Sequence, residues 1–321
     1  MDGEVVWFKA RAVVQGHRQV KGINFEETFA PTPTFQSLRC LLEVASAYQW
    51  ETATFDVKTA YLISPLEEEV FIRPLAGKIL RVAGNVLRLK KSMYGLKQAA
   101  QCWWNHLRAI LTTVGFQMND GDQSTYFYKQ GEDVAMLWVH VDDGILMASN
   151  QHLMMKLWEA LSTAVQLKWD LMLHSIVGIE VQQVGRGFQL SQRALIAKLL
   201  ADHTNNFSPR QTLPNMVLKS EAARSVDRGY LSKIGMILYL AQATRPDVTF
   251  AMNYLARFSM AANAHHWHAL KHLISYLENT IEESLTIEAN IDKKIAKMYI
   301  DANWGGEGSR SQQGYICKVW I

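Results

Sequence analysis

The sequence predicts an α+β fold, and three observations predict it. Segments of helical periodicity and short alternating segments follow one another in mixed order, with no internal repeat and no low-complexity stretch. The chain has 321 residues, 49% hydrophobic and 20% charged, enough for a globular protein of two or three subdomains. At its centre, MLWVHVDDGILMAS (Met136 to Ser149) reads as a buried hairpin with two adjacent aspartates, Asp142 and Asp143, at the join. A formal net charge of +3 permits contact with a polyanion without demanding it. Cys40, Cys102 and Cys317 are scattered and odd in number, against a disulfide framework or a zinc site and in keeping with a reducing compartment. No apolar run reaches the roughly 18 residues of a membrane span, and MDGEVVWFKAR is no signal peptide. A soluble intracellular protein is expected.

The elements follow in order. EVVWFKARAVVQG reads as a strand after the Asp2-Gly3 turn signal. TFQSLRCLLEVASAYQW reads as a helix capped by Thr34, with Leu38, Leu41, Leu42, Ala45 and Tyr48 on one face. ATFDVKTAYL is a strand entering a turn or short helix, EEEVFIRP and NVLRLKKS are short alternating segments, and QCWWNHLRAILTTVGF is an amphipathic helix. The central hairpin follows, with DDG as its turn. NQHLMMKLWEALSTAVQLKW is then a helix, HSIVGIEVQQVGRGFQLSQ a pair of strands around Gly185 and Gly187, and QRALIAKLLADH a helix. HTNNFSPRQTLPN, polar and with two prolines, is the linker candidate. Helices are expected at GYLSKIGMILYLAQAT, PDVTFAMNYLARFS and HHWHALKHLISYLENT, and two strands at ESLTIEA and AKMYIDANW.

Charges are rarely buried unless paired or bound to a metal, so the two hairpin aspartates ask for a cation. Asp56 also ends a β-like segment, and three aspartates at two strand ends can converge on one sheet edge. Such a set suits magnesium, a hard cation that takes oxygen ligands and usually binds one or two carboxylates plus substrate phosphates. Two such ions about 3.5–4 Å apart clamp the attacking and leaving oxygens of an in-line displacement at phosphorus. Taken alone, Val-Asp-Asp-Gly is ordinary turn chemistry. A third reading is another nucleotidyl- or glycosyltransferase with an acidic metal motif, which Asp56 lying far from Asp142 in the fold would favour.

The neighbouring words are more specific. KARAVVQGHRQVKGINFEETFAP, FDVKTAYL, LEEEVFIRP, LKKSMYGLKQA and HVDD stand in the order and rough spacing of the copia-type retrotransposon reverse transcriptase. The resemblance continues through VGIEV, QLSQ, YLSKIGMILYLAQATRPDVTFAMNYLARF, HWHALKHLISYL and YIDANWGG, over nearly the whole chain. It implies a right-hand polymerase, with fingers and palm over residues 1–150. The palm end, primer-grip hairpin and start of the thumb would span 151–205, the thumb and connection helices 206–290, and a partial RNase H-like sheet 291–321. The implied activity is RNA-directed DNA polymerisation, adding deoxynucleoside triphosphates to a primer with two magnesium ions, or manganese in their place. The implied partners are an RNA template, a DNA primer and their hybrid, with no membrane. The implied location is intracellular, in a cytoplasmic virus-like particle or the nucleus.

Residue by residue, the resemblance makes Asp56, Asp142 and Asp143 catalytic metal ligands, helped by the backbone carbonyl of Val57. Lys9 and Arg11 fall in the basic segment over the incoming triphosphate, and the forked guanidinium of Arg11 suits phosphate better. Tyr61 matches the aromatic ring under the incoming sugar, where it blocks a 2′-hydroxyl; Tyr94 and Gly95, with Gln98, match the turn that contacts nucleotide and template. Lys90, Lys91 and Lys97 are candidates for template phosphates. His140, Val141 and Gly178 match primer contacts, Gly178 because its missing side chain allows close backbone approach. The histidines His265, His266, His268 and His272 mimic a metal site but belong to the family's connection pattern. Trp103, Trp104, Trp138, Trp158 and Trp169 are expected in cores rather than under bases.

The pattern breaks in places. His140 stands where the family has tyrosine, an imidazole that is smaller and titrates near neutrality. Ser64-Pro65 replaces a Gly-Asp turn, and Ala100 a proline. The family's strand before Asp2 and the helix before it are expected to be missing. Asp301 matches the first RNase H carboxylate, yet only Glu307 follows it, at a loop position, so no RNase H activity is expected. No protease or integrase segment is expected, and the expected source is a genomic copy shortened at both ends. The alternative function is an inactive relic, or a nucleic-acid-binding module of the same fold.

Overall fold

The computed structural model describes residues 10–73, 86–201, 210–214, 227–289, 296–303 and 312–319. Backbone contacts separate the chain into two units, one from residues 1–34 and 51–171, the other from 35–50 and 172–321. Helix α1 (Phe35–Tyr48) belongs to the second unit and buries Leu38, Leu41, Leu42 and Ala45, as its spacing predicts. Tyr48, expected on that face, is 62% exposed. It is the last helical residue, and its ring leans on Trp50, 6.0 Å away between centroids, while Ser46 and Ala47 are buried instead.

In the first unit, β1 (Glu51–Val57) leads into the short helix α2 (Ala60–Ile63), and β2 (Phe71–Ile72) pairs with β3 (Leu87–Arg88). After α3 (Ala99–Val114) come β4 (Gln117–Met118), β5 (Thr125–Gln130), β6 (Asp133–His140), β7 (Asp143–Ala148), α4 (Gln151–Ala164) and β8 (Leu167–Asp170). Six of these strands form one antiparallel sheet in the order β4-β5-β6-β7-β1-β8. Alternation along β1 sends Ala53, Phe55 and Val57 into a core with Trp103, Leu107 and Leu111 of α3 and Leu153, Leu157 and Leu161 of α4. Thr52, Thr54 and Asp56 therefore face the other way.

Three expectations for this unit fail. Residues 10–15, the described part of the first expected strand, carry no strand. The Val14 N–H donates to the Tyr94 carbonyl at 2.8 Å, the Val14 carbonyl accepts the Gly16 N–H at 2.9 Å, and Gly16 opens a 3-10 turn. The helix expected to run to Trp169 ends at Ala164, because Leu167 to Asp170 pair with β1. The hairpin turn is not Asp-Asp-Gly: His140 pairs with Asp143, so the two loop residues are Val141 and Asp142. Gly144 lies inside β7 opposite Phe55, where a Cβ would come within 2.2 Å of the phenyl ring. Gly144→Ala is expected to lower stability by about 1–3 kcal/mol through overpacking. Phe55→Leu in the same chain should return part of that loss in a urea titration; no recovery would place the strain elsewhere.

The second unit contains β9 (Ser175–Ile176), β10 (Ile179–Val184), β11 (Gly187–Ser191), α5 (Arg193–Ala201), α6 (Arg228–Ala243), α7 (Thr249–Ala256), α8 (Ala264–Asn279) and β12 (Leu285–Ile287). Its sheet runs β12-β11-β10-β9, and β13 (Ala296–Asn303) pairs with β14 (Gln312–Val319) separately. Helices α5 to α8 share a core that includes Leu199, Ile237, Leu240, Leu255, Leu270 and Leu273. Asp227 caps α6 through the N–H groups of Gly229 and Tyr230. The turn after α6 is fastened by Arg245, whose guanidinium grips Asp247 at 3.0 and 2.8 Å and reaches the Thr280 carbonyl and hydroxyl beyond α8. The expected linker lies mostly outside the described residues. Among the described residues no helix is long and apolar enough to cross a membrane. The mixed α+β character read from the sequence is what the structure has.

Candidate active site

The two strands that carry the aspartates lie side by side. Asp56 is the direct antiparallel partner of Asp143, and the Val57 N–H donates to the Asp142 carbonyl at 2.8 Å. Directly opposed residues share a sheet face, so Asp56 and Asp143 stand together on the face away from α3 and α4. His140 pairs with Asp143 on the same face and stacks its ring on Trp138, centroids 6.1 Å apart. All three aspartates are half-buried, and none of their side-chain carboxylates has a hydrogen bond or ion pair with a described residue. Burial, together with the charges of Asp142 and Asp56, pushes the Asp143 carboxyl above its ordinary value; His140 pulls the other way. Three crowded carboxylates are the donor set a hard divalent cation takes, and such a cation would relieve the repulsion. Even so, among the described residues no group of three or more His, Cys, Asp or Glu side chains is already drawn together to hold a metal.

Next to the carboxylates stands a ring pair. Tyr61 of α2 meets Tyr94 edge to face, centroids 5.2 Å apart, and the Arg11 guanidinium lies over the Tyr94 ring at 5.1 Å. Burial raises the Tyr61 hydroxyl pKa, with Asp142 and then Tyr94 adding to it. Gly95 has φ +91°, and a Cβ there would lie 2.1 Å from the Val14 carbonyl oxygen. Only glycine lets this turn close against the chain that carries Arg11. Gln98, expected to touch substrate, is fully buried, and its amide is committed: the carbonyl accepts from Gln19 and the NH2 donates to the Asn24 carbonyl. Its position suits bracing of the loop rather than contact with a ligand. Lys97 is likewise tied to the Gln19 carbonyl and the Phe25 ring, while Lys90 and Lys91 are exposed.

Residues 1–217 match the family model described as reverse transcriptase (RNA-dependent DNA polymerase). The chain belongs to the reverse transcriptase family. Its relatives include the retrovirus-related Pol polyprotein from transposon RE2 of Arabidopsis thaliana, 33% identical over 98% of this chain and 22% of the polyprotein. The corresponding polyprotein from transposon TNT 1-94 of Nicotiana tabacum is 30% identical over 98% of this chain and 25% of its own length. The copia-type likeness read from the sequence therefore stands, and the chain spans about a quarter or less of these relatives. A putative transposon Ty5-1 protein of Saccharomyces cerevisiae is 26% identical over 81% of this chain and 87% of its own. Among solved structures, a foamy viral protease-reverse transcriptase in complex with double-stranded DNA aligns with a TM-score of 0.42 at 11% identity, over 84% of this chain and 43% of that one.

Gly178 is in the turn between β9 and β10, with φ +77° after Val177 at +43°, and a Cβ there would touch nothing within 4 Å. Its requirement is thus backbone conformation, not close approach of another part of the chain. Lys9 and Glu307 lie outside the described residues, and Asp301 is on β13 opposite Gly314. Trp103 and Trp138 are core residues, and Trp158 and Trp169 pack on each other at 5.8 Å. His266 closes a capping box with Asn263 at the start of α8, its Nδ1 accepting the Asn263 N–H, and stacks on Phe258. The His272 ring nitrogen meets the Thr212 carbonyl at 2.9 Å. Sequence reasoning missed the left-handed backbone of Val141, φ +61°, and the indole of Trp103 that donates to its carbonyl.

Proposed function

We propose that this chain is an RNA-directed DNA polymerase that extends a primer with deoxynucleoside triphosphates. The observation that carries the reading is the direct cross-strand pairing of Asp56 with Asp143 beside Asp142, in a chain of the reverse transcriptase family. Asp56, Asp142 and Asp143, with the Val57 carbonyl, would hold the metal. Magnesium bound there would lower the pKa of the attacking hydroxyl and neutralise charge on the leaving pyrophosphate. Arg11, exposed and held over Tyr94, offers its fork to phosphate oxygens, with Lys9 as a second cation. Tyr61, braced edge-on by Tyr94, is a rigid wall for the sugar. His140, Val141 and Gly178 contact the primer end, and Asp301 marks a vestigial RNase H position. Fingers and palm correspond to residues 1–150, with the palm end, primer grip and thumb start over 151–205, thumb and connection over 206–290 and the RNase H-like start beyond.

Primer extension on poly(rA)/oligo(dT), with the Asp142→Asn/Asp143→Asn chain as control, tests this. Equal signal from both chains would leave the alternative, a nucleic-acid-binding module without catalysis. Tyr61→Ala is expected to admit ribonucleotides, narrowing the ratio of deoxynucleotide to ribonucleotide incorporation by tenfold or more, about 1.4 kcal/mol of lost discrimination. An unchanged ratio would assign Tyr61 to packing.

A further inference from the structure

The loop of the β6–β7 hairpin has two residues, and each presents a carbonyl that is held from outside the hairpin. The Asp142 carbonyl accepts the Val57 N–H at 2.8 Å, and the Val141 carbonyl accepts the indole N–H of Trp103. Val141 needs the help. Its φ of +61° is a left-handed conformation that a side chain branched at Cβ rarely adopts. Trp103 is 2% exposed on α3 and locked among Phe55, Leu107 and Val139, so its donor is fixed by core packing. Trp104, the next residue, makes no hydrogen bond to the hairpin among the described residues.

We propose that Trp103 is a positioning residue: its indole N–H holds the Val141 peptide in the left-handed turn and so aims Asp142 and Asp143 at the metal. This rests on the polymerase reading above. Without the donor, the Val141 peptide is free to rotate toward an ordinary turn. That rotation swings the following residue, Asp142, away from Asp56 and leaves a part-buried carbonyl unpaired. The helix that carries Trp103 is thereby the part of the core that sets carboxylate geometry, rather than packing support alone.

The test reads metal binding directly, on the full chain with Mn2+ alone, by the loss of free-ion signal in electron paramagnetic resonance. Trp103→Phe keeps a ring in the core and removes the donor. It is expected to weaken Mn2+ about tenfold, the ratio that one net hydrogen bond sets. Trp104→Phe should bind as the wild type does, and Asp142→Asn/Asp143→Asn should not bind measurably. Val141→Gly added to Trp103→Phe should restore most of the affinity, since glycine takes positive φ without a steric cost. If the wild type binds no better than the double Asn chain, the polymerase reading and this inference both fall. Trp103→Phe binding like wild type would overturn the Trp103 role alone. A loss that Val141→Gly does not restore would reduce Trp103 to packing and overturn it too.

Discussion

Primer extension by Asp142→Asn or Asp143→Asn is expected to fall by at least about a thousandfold. A metal that polarises a phosphoryl oxygen supplies several kcal/mol of transition-state stabilisation, and about 4 kcal/mol is three decades of rate. Folding should respond in the opposite sense. The Asp143 carboxyl titrates above its ordinary value of 3.8 in the folded chain, so the native state binds that proton more tightly than the unfolded state does. The stability linked to it is fully present at acid pH and is lost as pH rises through the raised value. At neutral pH the wild type therefore carries a repulsion that Asp143→Asn removes, and the variant should melt slightly higher in metal-free buffer. Added magnesium should raise the melting temperature of the wild type and leave that of the variant unmoved. A variant that is inactive but melts lower in both buffers would mean that Asp143 is a fold residue, and the activity loss would then say nothing about metal.

The fold was legible where periodicity was long. The helical stripes of α3, α6 and α8 and the hairpins β6–β7 and β10–β11 stand where the pattern puts them. The meeting of Asp56 with Asp143 on one sheet edge was legible because aspartates at the ends of apolar strands are costly without a partner. Other features depend on groups far apart in the chain. Leu167 to Asp170 follow a helical stretch closely, and only pairing with β1 makes them a strand. Asp-Asp-Gly is a better local turn than Val-Asp, but the Phe55 ring requires the glycine inside β7, and Trp103 stabilises the left-handed valine. Here tertiary contacts overrode turn propensity at the residues next to the proposed chemistry, where local rules are expected to give way. The burial of Gln98 was hidden for a related reason: a polar side chain in a motif reads as exposed chemistry, whereas its amide bonds to Gln19 and Asn24.

Asp247→Ala is expected to destabilise the chain by about 3–5 kcal/mol, because it strips the anion from a buried guanidinium. The Arg245 side chain is 4% exposed and that of Asp247 38%, so removal of the carboxylate leaves the deeper charge uncompensated. The remaining contacts of Arg245, to the Thr280 carbonyl and hydroxyl and over the Tyr276 ring at 5.7 Å, place the value toward the lower end of that range. Burial alone would raise the Asp247 carboxyl. The hydrogen bonds and charge of Arg245 and the Tyr276 hydroxyl, which donates at 3.0 Å, outweigh it and hold the group below its ordinary 3.8. With a lowered folded value, the unfolded chain binds the proton more tightly. The stabilisation is thus complete above the ordinary carboxylate range and is lost as pH falls through the lowered value. The wild-type advantage over Asp247→Ala in urea titrations should accordingly be constant near neutrality and shrink below about pH 4. Asp247→Asn, which keeps an acceptor for the guanidinium, should lie between the two. An Asp247→Ala chain within about 1 kcal/mol of wild type, the value of an exposed pair, would show that the turn after α6 is fastened by the Arg245–Thr280 bonds and not by the ion pair.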